Sequence, residues 1–165
     1  GGKLIESIRN QYNKDFVSLM PTNLYGPGDN YDLKTSHVMP ALIRKFHEAK
    51  IQNLPAVEIW GTGKPLREFM HVDDLADACL FVMKNYDHWH FLNVGSGQEI
   101  SIGDLAHLIQ EVVGYNGKLI YNTEKPDGTP RKLMDSEKIN TLGWMPRTTL
   151  KEGIQSVYEV YKNAE

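Results

Sequence analysis

AVEIWGTGKPLREFMHVDDLADACLFVMKN, residues 56–85, passes from a predicted strand through a turn to a predicted helix. The strand is AVEIW (56–60), a β-branched and aromatic run that is closed by the glycines and proline of 61–65. The helix is expected to begin at Asp73 or Asp74. Its inward-facing positions are expected to be Leu75, Ala78, Cys79 and Val82. A strand that leads into a helix is the unit from which α/β folds are built.

The rest of the chain continues this alternation. Three further strands are predicted: FVSLM (16–20), FLNVG (91–95) and KLIYN (118–122). Further helices are predicted at 3–12, from Val38 onward, after Ser101 as far as Gly114, within 134–144, and after the capping pair Thr149 and Glu152. We therefore predict an α/β fold class.

Composition excludes several classes of protein. The chain has 165 residues and a net charge of −3, which gives no basic field of the kind that binds nucleic acid. Its apolar runs are far shorter than the roughly 20 residues that span a bilayer. No signal peptide is visible. The single cysteine, Cys79, excludes an internal disulfide and fits a reducing compartment. We expect a cytoplasmic protein with neither nucleic acid nor membrane as partner.

A long connection, PTNLYGPGDNYDLKTSHVMPALIRK (21–45), follows the second predicted element. Loops this long in a compact domain are usually functional. The loop ends at His37, close to the expected N-cap of the next helix, where the helix dipole favours a neutral ring and nearby anions. His37 is therefore either an exposed capping residue or part of an active-site wall. Asn23 and Tyr25 can simply satisfy turn geometry.

Two other segments place chemistry at strand ends. Trp60 and Arg67 flank a glycine-rich turn, and an aromatic platform beside a guanidinium suits a nucleotide diphosphate. The alternative is a core tryptophan and a locally paired arginine. His71 before Asp73 and Asp74 fits a helix cap better than a metal site, and we predict no metal.

The third segment is EKPDGTPRK (124–132), which concentrates positive charge in an acidic chain. Its cations are Lys125, Arg131 and Lys132. A solvated surface turn is the alternative interpretation. The sequence contains no G-x-G-x-x-G between a strand and a helix and no Walker loop, so it does not provide the usual cradle for a dinucleotide pyrophosphate.

Taken together, these segments resemble a known family. REFMHVDDLADA (67–78) resembles the signature of the extended short-chain dehydrogenases/reductases, with Glu68 where the signature has Asp. PTNLYGPGDN (21–30), SHVMPALIRKFHEAK (36–50), WGTGKPLREFMHVDD (60–74) and KPDGTPRKLMD (125–135) resemble members that convert GDP-4-keto-6-deoxy-D-mannose to GDP-L-fucose by 3,5-epimerisation and 4-reduction.

The resemblance implies roles for individual residues. Pro21, Thr22, Asn23 and Leu24 match a segment that lies against the nicotinamide end of NADP(H). His37 matches a catalytic acid near the cofactor. The positions that match contacts to the GDP-sugar, its diphosphate included, are Lys45, Trp60, Arg67, Asp127 and Lys132. The family also implies a homodimer for the full-length protein.

The same resemblance implies a fragment. The chain begins at Gly1 without a methionine, and the family's NADP-binding glycine motif and Tyr-x-x-x-Lys are not in it. We expect the C-terminal part of the protein, with a late Rossmann helix and strand in 1–25 and mainly the GDP-sugar-binding domain, with returning Rossmann elements, in 26–165. We expect the isolated chain to be inactive. Alternatives are another nucleotide-sugar epimerase or dehydratase of the family, or a non-catalytic GDP-sugar-binding module.

Overall fold

The structure is a computed structural model that describes residues 2–164. Within them the chain forms the following elements in order: α1 Gly2–Tyr12, β1 Leu19–Pro21, β2 Asn23–Tyr25, α2 Val38–Ile51, β3 Ala56–Trp60, β4 Leu66–His71, α3 Val72–Asn85, β5 Leu92–Val94, β6 Glu99–Ser101, α4 Ile102–Val113, β7 Lys118–Asn122, β8 Arg131–Lys132, α5 Glu137–Thr141 and α6 Leu150–Ala164. The fold is therefore mixed α/β, as predicted.

The described residues divide into two compact units. The first unit comprises residues 2–24, Glu68–Gln98 and Leu133–Thr148. In it β1 pairs in parallel with β5, with Leu19 opposite Leu92. Its core is a cluster of buried side chains: Met70, Ala78, Val82, Leu92, Val94, Ile139 and Trp144.

Buried acidic side chains hold the loops of the first unit. Glu68 is fully buried, and its carboxylate accepts hydrogen bonds from the backbone N–H groups of Gly97 (2.7 Å) and Met134 (2.9 Å). Asp74, also buried, accepts from the backbone N–H groups of Arg147 and Thr148. A buried carboxylate is tolerated when such donors replace its water.

The second unit comprises residues 25–67, Glu99–Lys132 and 149–164. β3 pairs in parallel with β7 over five residues, from Ala56 opposite Lys118 to Trp60 opposite Asn122. The first two residues of β4, Leu66 and Arg67, pair in parallel with β8. Helix α4 contacts both α2 and α6, and a hydrogen bond between His47 and Tyr158 links α2 to α6.

Several local predictions are confirmed. Helix α2 begins at Val38 with His37 as its N-cap. Ser101 caps α4 by accepting from the backbone N–H of Asp104, and the helix stops before Gly114, its C-cap in the left-handed conformation. The Thr149–Glu152 pair forms at the start of α6.

Other local predictions are wrong. The strand predicted at FVSLM begins only at Leu19, since the pairing with β5 starts where Ser18 O accepts from Leu92 N. Helix α3 begins at Val72, because the His71 ring accepts from the backbone N–H of Asp73 and caps the helix ahead of both aspartates.

The predicted division at 1–25 and 26–165 into nucleotide-binding and sugar-binding parts stays a prediction. Its outermost residues, Gly1 and Glu165, lie outside the described residues.

Candidate functional site

The second unit carries an exposed tryptophan at the end of β3. Alternation along the strand buries Val57 and Ile59 and exposes Glu58 and Trp60. Trp60 is 56% exposed, although tryptophan is on average a highly buried residue. Its indole N–H donates to Glu58 Oε1 at 3.0 Å. Trp60 is therefore a fixed surface platform and does not belong to the core.

Two lysines lie over this indole. The Lys45 Nζ atom is 5.0 Å from the ring centroid, and the Lys125 Nζ atom is 5.4 Å from it. Both distances are within the range of cation–π attraction. Lys45 also donates to the backbone oxygen of Glu58 at 3.1 Å. Burial lowers the pKa of Lys45, and the nearby Glu58 carboxylate partly opposes that shift.

Arg67 and Lys132 are register partners on neighbouring strands. The β4–β8 pairing places Leu66 opposite Arg131 and Arg67 opposite Lys132. Neighbouring strands are about 4.8 Å apart, and paired residues project to the same face. Two cations 65 positions apart in sequence therefore lie side by side.

Arg131 is engaged elsewhere. It forms a two-pronged pair with Glu99, with both N···O distances at 2.7 Å. This pair holds the pKa of Glu99 below its usual range. Of the two adjacent cations in β8, Lys132 is thus the one placed beside Arg67.

Asp127 closes the turn that follows β3. Its carboxylate accepts from the Thr62 backbone N–H at 2.6 Å and from the Thr62 hydroxyl at 2.8 Å, and these bonds lower its pKa. Gly61 has φ +79°, and a Cβ there would collide with Asp127 Oδ1. The loop 123–130 is therefore held against the turn 61–64.

A cavity of about 730 Å³ lies beside the tryptophan, within the second unit. Polar residues at its wall include Lys45, Glu48 and Glu58. Most other lining residues are apolar, among them Leu33, Val38, Leu42, Val57 and Ile59. The volume is in the range of small-molecule sites. Since Leu33 and Ser36 belong to the long loop, that loop contributes to the wall of a cavity.

His37 stands at the N-terminus of α2 and is exposed. Its side chain makes no capping hydrogen bond. Among residues 2–164, no hydrogen bond or ring contact joins His37 to Trp60, Arg67 or Lys132. Its predicted role therefore stays a prediction.

Residues 21–24 lie in or beside the first unit's β1–β5 sheet. The Thr22 backbone N–H donates to Val94 O, and the Asn23 side chain donates to Glu68 O at 2.8 Å. Pro21 ends a parallel strand, where ligand crevices occur in open α/β sheets. The predicted contact of Pro21, Thr22, Asn23 and Leu24 with a cofactor stays untested.

His71 is used by the fold as the cap of α3. In the described part of the chain, no three His, Cys, Asp or Glu side chains are grouped as metal ligands. Cys79 is a free, partly buried thiol, in keeping with its predicted place on the inner side of α3.

Glu58 was not singled out from the sequence, and Lys125 was named only as one cation of the segment 124–132. Glu58 holds the indole of Trp60, and Lys125 lies over it. Glu58 could have been found, because residues two apart in a strand share a face. The position of Lys125 depends on a long-range loop packing that no local pattern encodes.

Comparisons with known proteins show the family to which the chain belongs. Residues 1–95 match the model of the NAD dependent epimerase/dehydratase family. The chain is 56% identical over 161 residues to a probable GDP-L-fucose synthase 1 of Oryza sativa subsp. japonica, covering 98% of this chain and 49% of that protein. The chain thus spans about half the length of the curated relatives it matches.

Solved structures are similar over the same extent. A GDP-6-OMe-4-keto-L-xylo-heptose reductase from C. jejuni superposes with a TM-score of 0.90 at 37% identity, over 99% of this chain and 58% of that one. A GDP-L-fucose synthetase from Naegleria fowleri, solved with bound NADP, gives a TM-score of 0.89 at 29% identity, over 98% of this chain and 52% of that one. Within residues 2–164, no helix is both long and apolar enough to cross a bilayer.

Proposed function

The chain belongs to the NAD dependent epimerase/dehydratase family, and we propose that its second unit binds the GDP part of a GDP-linked keto sugar. We propose further that the full-length protein is a GDP-L-fucose synthase, which epimerises GDP-4-keto-6-deoxy-D-mannose at C3 and C5 and reduces it at C4. A homology of 56% identity to a probable enzyme of that name supports this choice.

The observation that carries the proposal is the pairing of Arg67 with Lys132 in the same unit as Trp60. A planar guanidinium binds phosphate oxygens through two parallel hydrogen bonds, and an adjacent ammonium adds a point charge. Two neighbouring cations suit the two phosphates of a nucleoside diphosphate. The strand register thus places two positive residues side by side in a chain of net charge −3.

Trp60 and Lys45 supply the matching contacts for a nucleoside. Bases stack on aromatic faces, with about 1–3 kcal/mol per base at stacking sites. We propose that the cavity beside Trp60, whose wall is mostly apolar, receives the base. We propose that Asp127, held by Thr62, presents its remaining acceptor positions to sugar hydroxyls.

The proposed chemistry requires an acid as well as a binding site. A 4-keto group acidifies the C–H bonds at C3 and C5, so that each proton can be removed and then returned from the opposite face. We propose that the His37 imidazole returns a proton to carbon, since it is exposed at the N-terminus of α2 and histidine is the side chain that most often acts as a general acid. NADPH supplies the hydride that reduces C4.

The residues present fit only one end of that cofactor. Residues 21–24 follow a parallel strand and can lie against the nicotinamide, whereas no glycine-rich pyrophosphate cradle occurs in these 165 residues. We therefore propose that the isolated chain binds GDP but does not turn over. We also propose that the full-length protein is a homodimer, which its mass in solution would test.

A second candidate is a reductase of GDP-linked keto heptoses. The 37% identity to the C. jejuni reductase, at a TM-score of 0.90, favours it. Both candidates share the GDP site and differ in the keto sugar that is reduced at C4.

NADPH consumption by the full-length protein separates these candidates. We expect turnover with GDP-4-keto-6-deoxymannose and much slower turnover with a GDP-4-keto-heptose. Preference for the heptose would select the second candidate. Equal turnover of a UDP-linked keto sugar would reject the proposed GDP site.

A further inference from the structure

Given the proposed function, on which this step rests, we infer that Glu58 is a positioning residue. It holds the Trp60 indole in the orientation that a nucleotide base meets. The Glu58 carboxylate itself needs no contact with the ligand in this role.

The geometry of β3 and β7 carries the inference. Glu58 and Trp60 project from the same face of β3, and Trp60 is the register partner of Asn122. One carboxylate oxygen of Glu58 accepts from the indole N–H at 3.0 Å, and the other accepts from the Asn122 amide at 3.2 Å. Glu58 therefore bonds to both members of one cross-strand pair.

An exposed indole needs such an anchor. More than half of the Trp60 surface is open to solvent, so packing alone does not fix its two side-chain torsions. Lys45 donates to the Glu58 backbone while its ammonium lies over the ring. Glu58 thus contacts Trp60 through its carboxylate and Lys45 through its backbone oxygen.

Charge argues against direct ligand contact. A carboxylate near a diphosphate repels it, so electrostatics alone predicts that removal of Glu58 strengthens binding. A positioning role predicts instead that removal of Glu58 weakens binding, because the ligand must then order a mobile indole. The direction of the effect therefore separates the two explanations.

The first experiment measures the GDP affinity of the 165-residue chain by calorimetry. Glu58→Ala should weaken GDP binding about three- to tenfold, the loss expected for one hydrogen bond. Glu58→Gln should stay within about twofold of wild type, because its amide oxygen can still accept from the indole. Unchanged or tighter binding by Glu58→Ala would overturn the inference.

A double-mutant cycle tests whether the effect passes through the indole N–H. Trp60→Phe keeps an aromatic face and removes the donor. In that background, Glu58→Ala should change GDP affinity less than about twofold. The charge control is Glu124→Gln on the loop after β7, whose bond to Asn122 uses its backbone N–H. It should leave affinity unchanged or slightly higher.

A ligand-free readout separates failure of this inference from failure of the proposed function. The chain has three tryptophans, and Trp60→Phe assigns one indole ¹⁵N–H resonance to Trp60. Glu58→Ala should shift that resonance, whereas Glu124→Gln should not. An unmoved resonance would overturn the role of Glu58 whether or not GDP binds. A wild-type chain that binds no GDP would reject the proposed site, and the resonance would then decide on Glu58 alone.

Discussion

Arg67 and Glu68 are neighbours in β4, yet they serve opposite purposes in the two units. Glu68 is fully buried in the first unit and accepts backbone N–H groups from two loops. Arg67 belongs to the second unit, beside the exposed Lys132. One signature sequence therefore ends the proposed binding surface and begins a structural core.

The contrast extends through each unit. In the first, Asp74 and His71 are buried and bonded to nearby backbone groups. In the second, Trp60 and Lys132 remain exposed. The buried polar groups of the first unit are bonded within the fold, whereas the exposed groups of the second unit are the ones that we propose bind a ligand. Substitutions in the two regions should therefore separate stability from binding.

The largest effect is expected at His37. In the full-length protein, His37→Gln should slow deuterium exchange at C3 and C5 by roughly 10²–10⁴-fold, since it removes the proposed acid. Thermal stability should not change, because the side chain is exposed and makes no cap bond. Mass spectrometry of the substrate measures the exchange, and wild-type rates in this variant would remove the assigned role.

Glu68→Ala should act on stability. Two backbone N–H groups lose their buried acceptor, each at a cost of about 1–3 kcal/mol, so unfolding free energy should fall by about 2–6 kcal/mol. Glu68→Gln retains one acceptor oxygen and should lose about half as much. Urea denaturation followed by circular dichroism measures this, with the exposed Glu124→Gln as control. A fall of less than about 0.5 kcal/mol in the free energy of unfolding would contradict a structural role for Glu68.

Arg67→Ala should act on binding. Loss of a charge-assisted contact costs about 1.5–3 kcal/mol, which corresponds to GDP affinity weakened about 10- to 150-fold. Lys132→Ala should cost less, since an ammonium does not pair in two-pronged fashion. Both losses should shrink at high salt. If affinity is unchanged at all salt concentrations, Arg67 is a structural residue.

Asp127→Asn should give the smallest effect, visible as a pH dependence. Hydrogen bonds from Thr62 lower the pKa of Asp127 in the folded chain. Its contribution to stability is therefore present above the unfolded pKa and lost as pH falls through the folded pKa. The melting temperatures of wild type and Asp127→Asn should differ above about pH 4, the ordinary pKa of an aspartate, and should converge as the pH falls through the lowered pKa of the folded chain. A gap that persists in acid would show that the carboxylate charge is not involved.

Sequence patterns predicted what depends on local chemistry. The alternation of β3, the start of α2 at Val38 and the Ser101 cap of α4 all follow from neighbours along the chain. The start of α3 was misplaced, because His71 supplies the cap that aspartate more commonly supplies.

Only part of the candidate site could be predicted from the sequence. Arg67 and Lys132 were named as separate contacts, but their register depends on a two-residue strand in a loop rich in proline and glycine. Glu58 shares a face of β3 with Trp60, as strand alternation predicts, whereas Lys125 reaches the indole through tertiary packing of its loop. Short-range periodicity cannot encode pairings across more than 60 residues.

The central claim is that the second unit holds the GDP moiety, and NMR titration of the ¹⁵N-labelled chain tests it most directly. Addition of GDP should shift the Trp60 indole resonance and the backbone amides of Arg67 and Lys132, and UDP should do so only at higher concentration. The backbone amide resonance of Gly97, whose N–H donates to Glu68 in the first unit, should not shift. Shifts confined to the first unit, or equal titration by UDP and GDP, would contradict the claim.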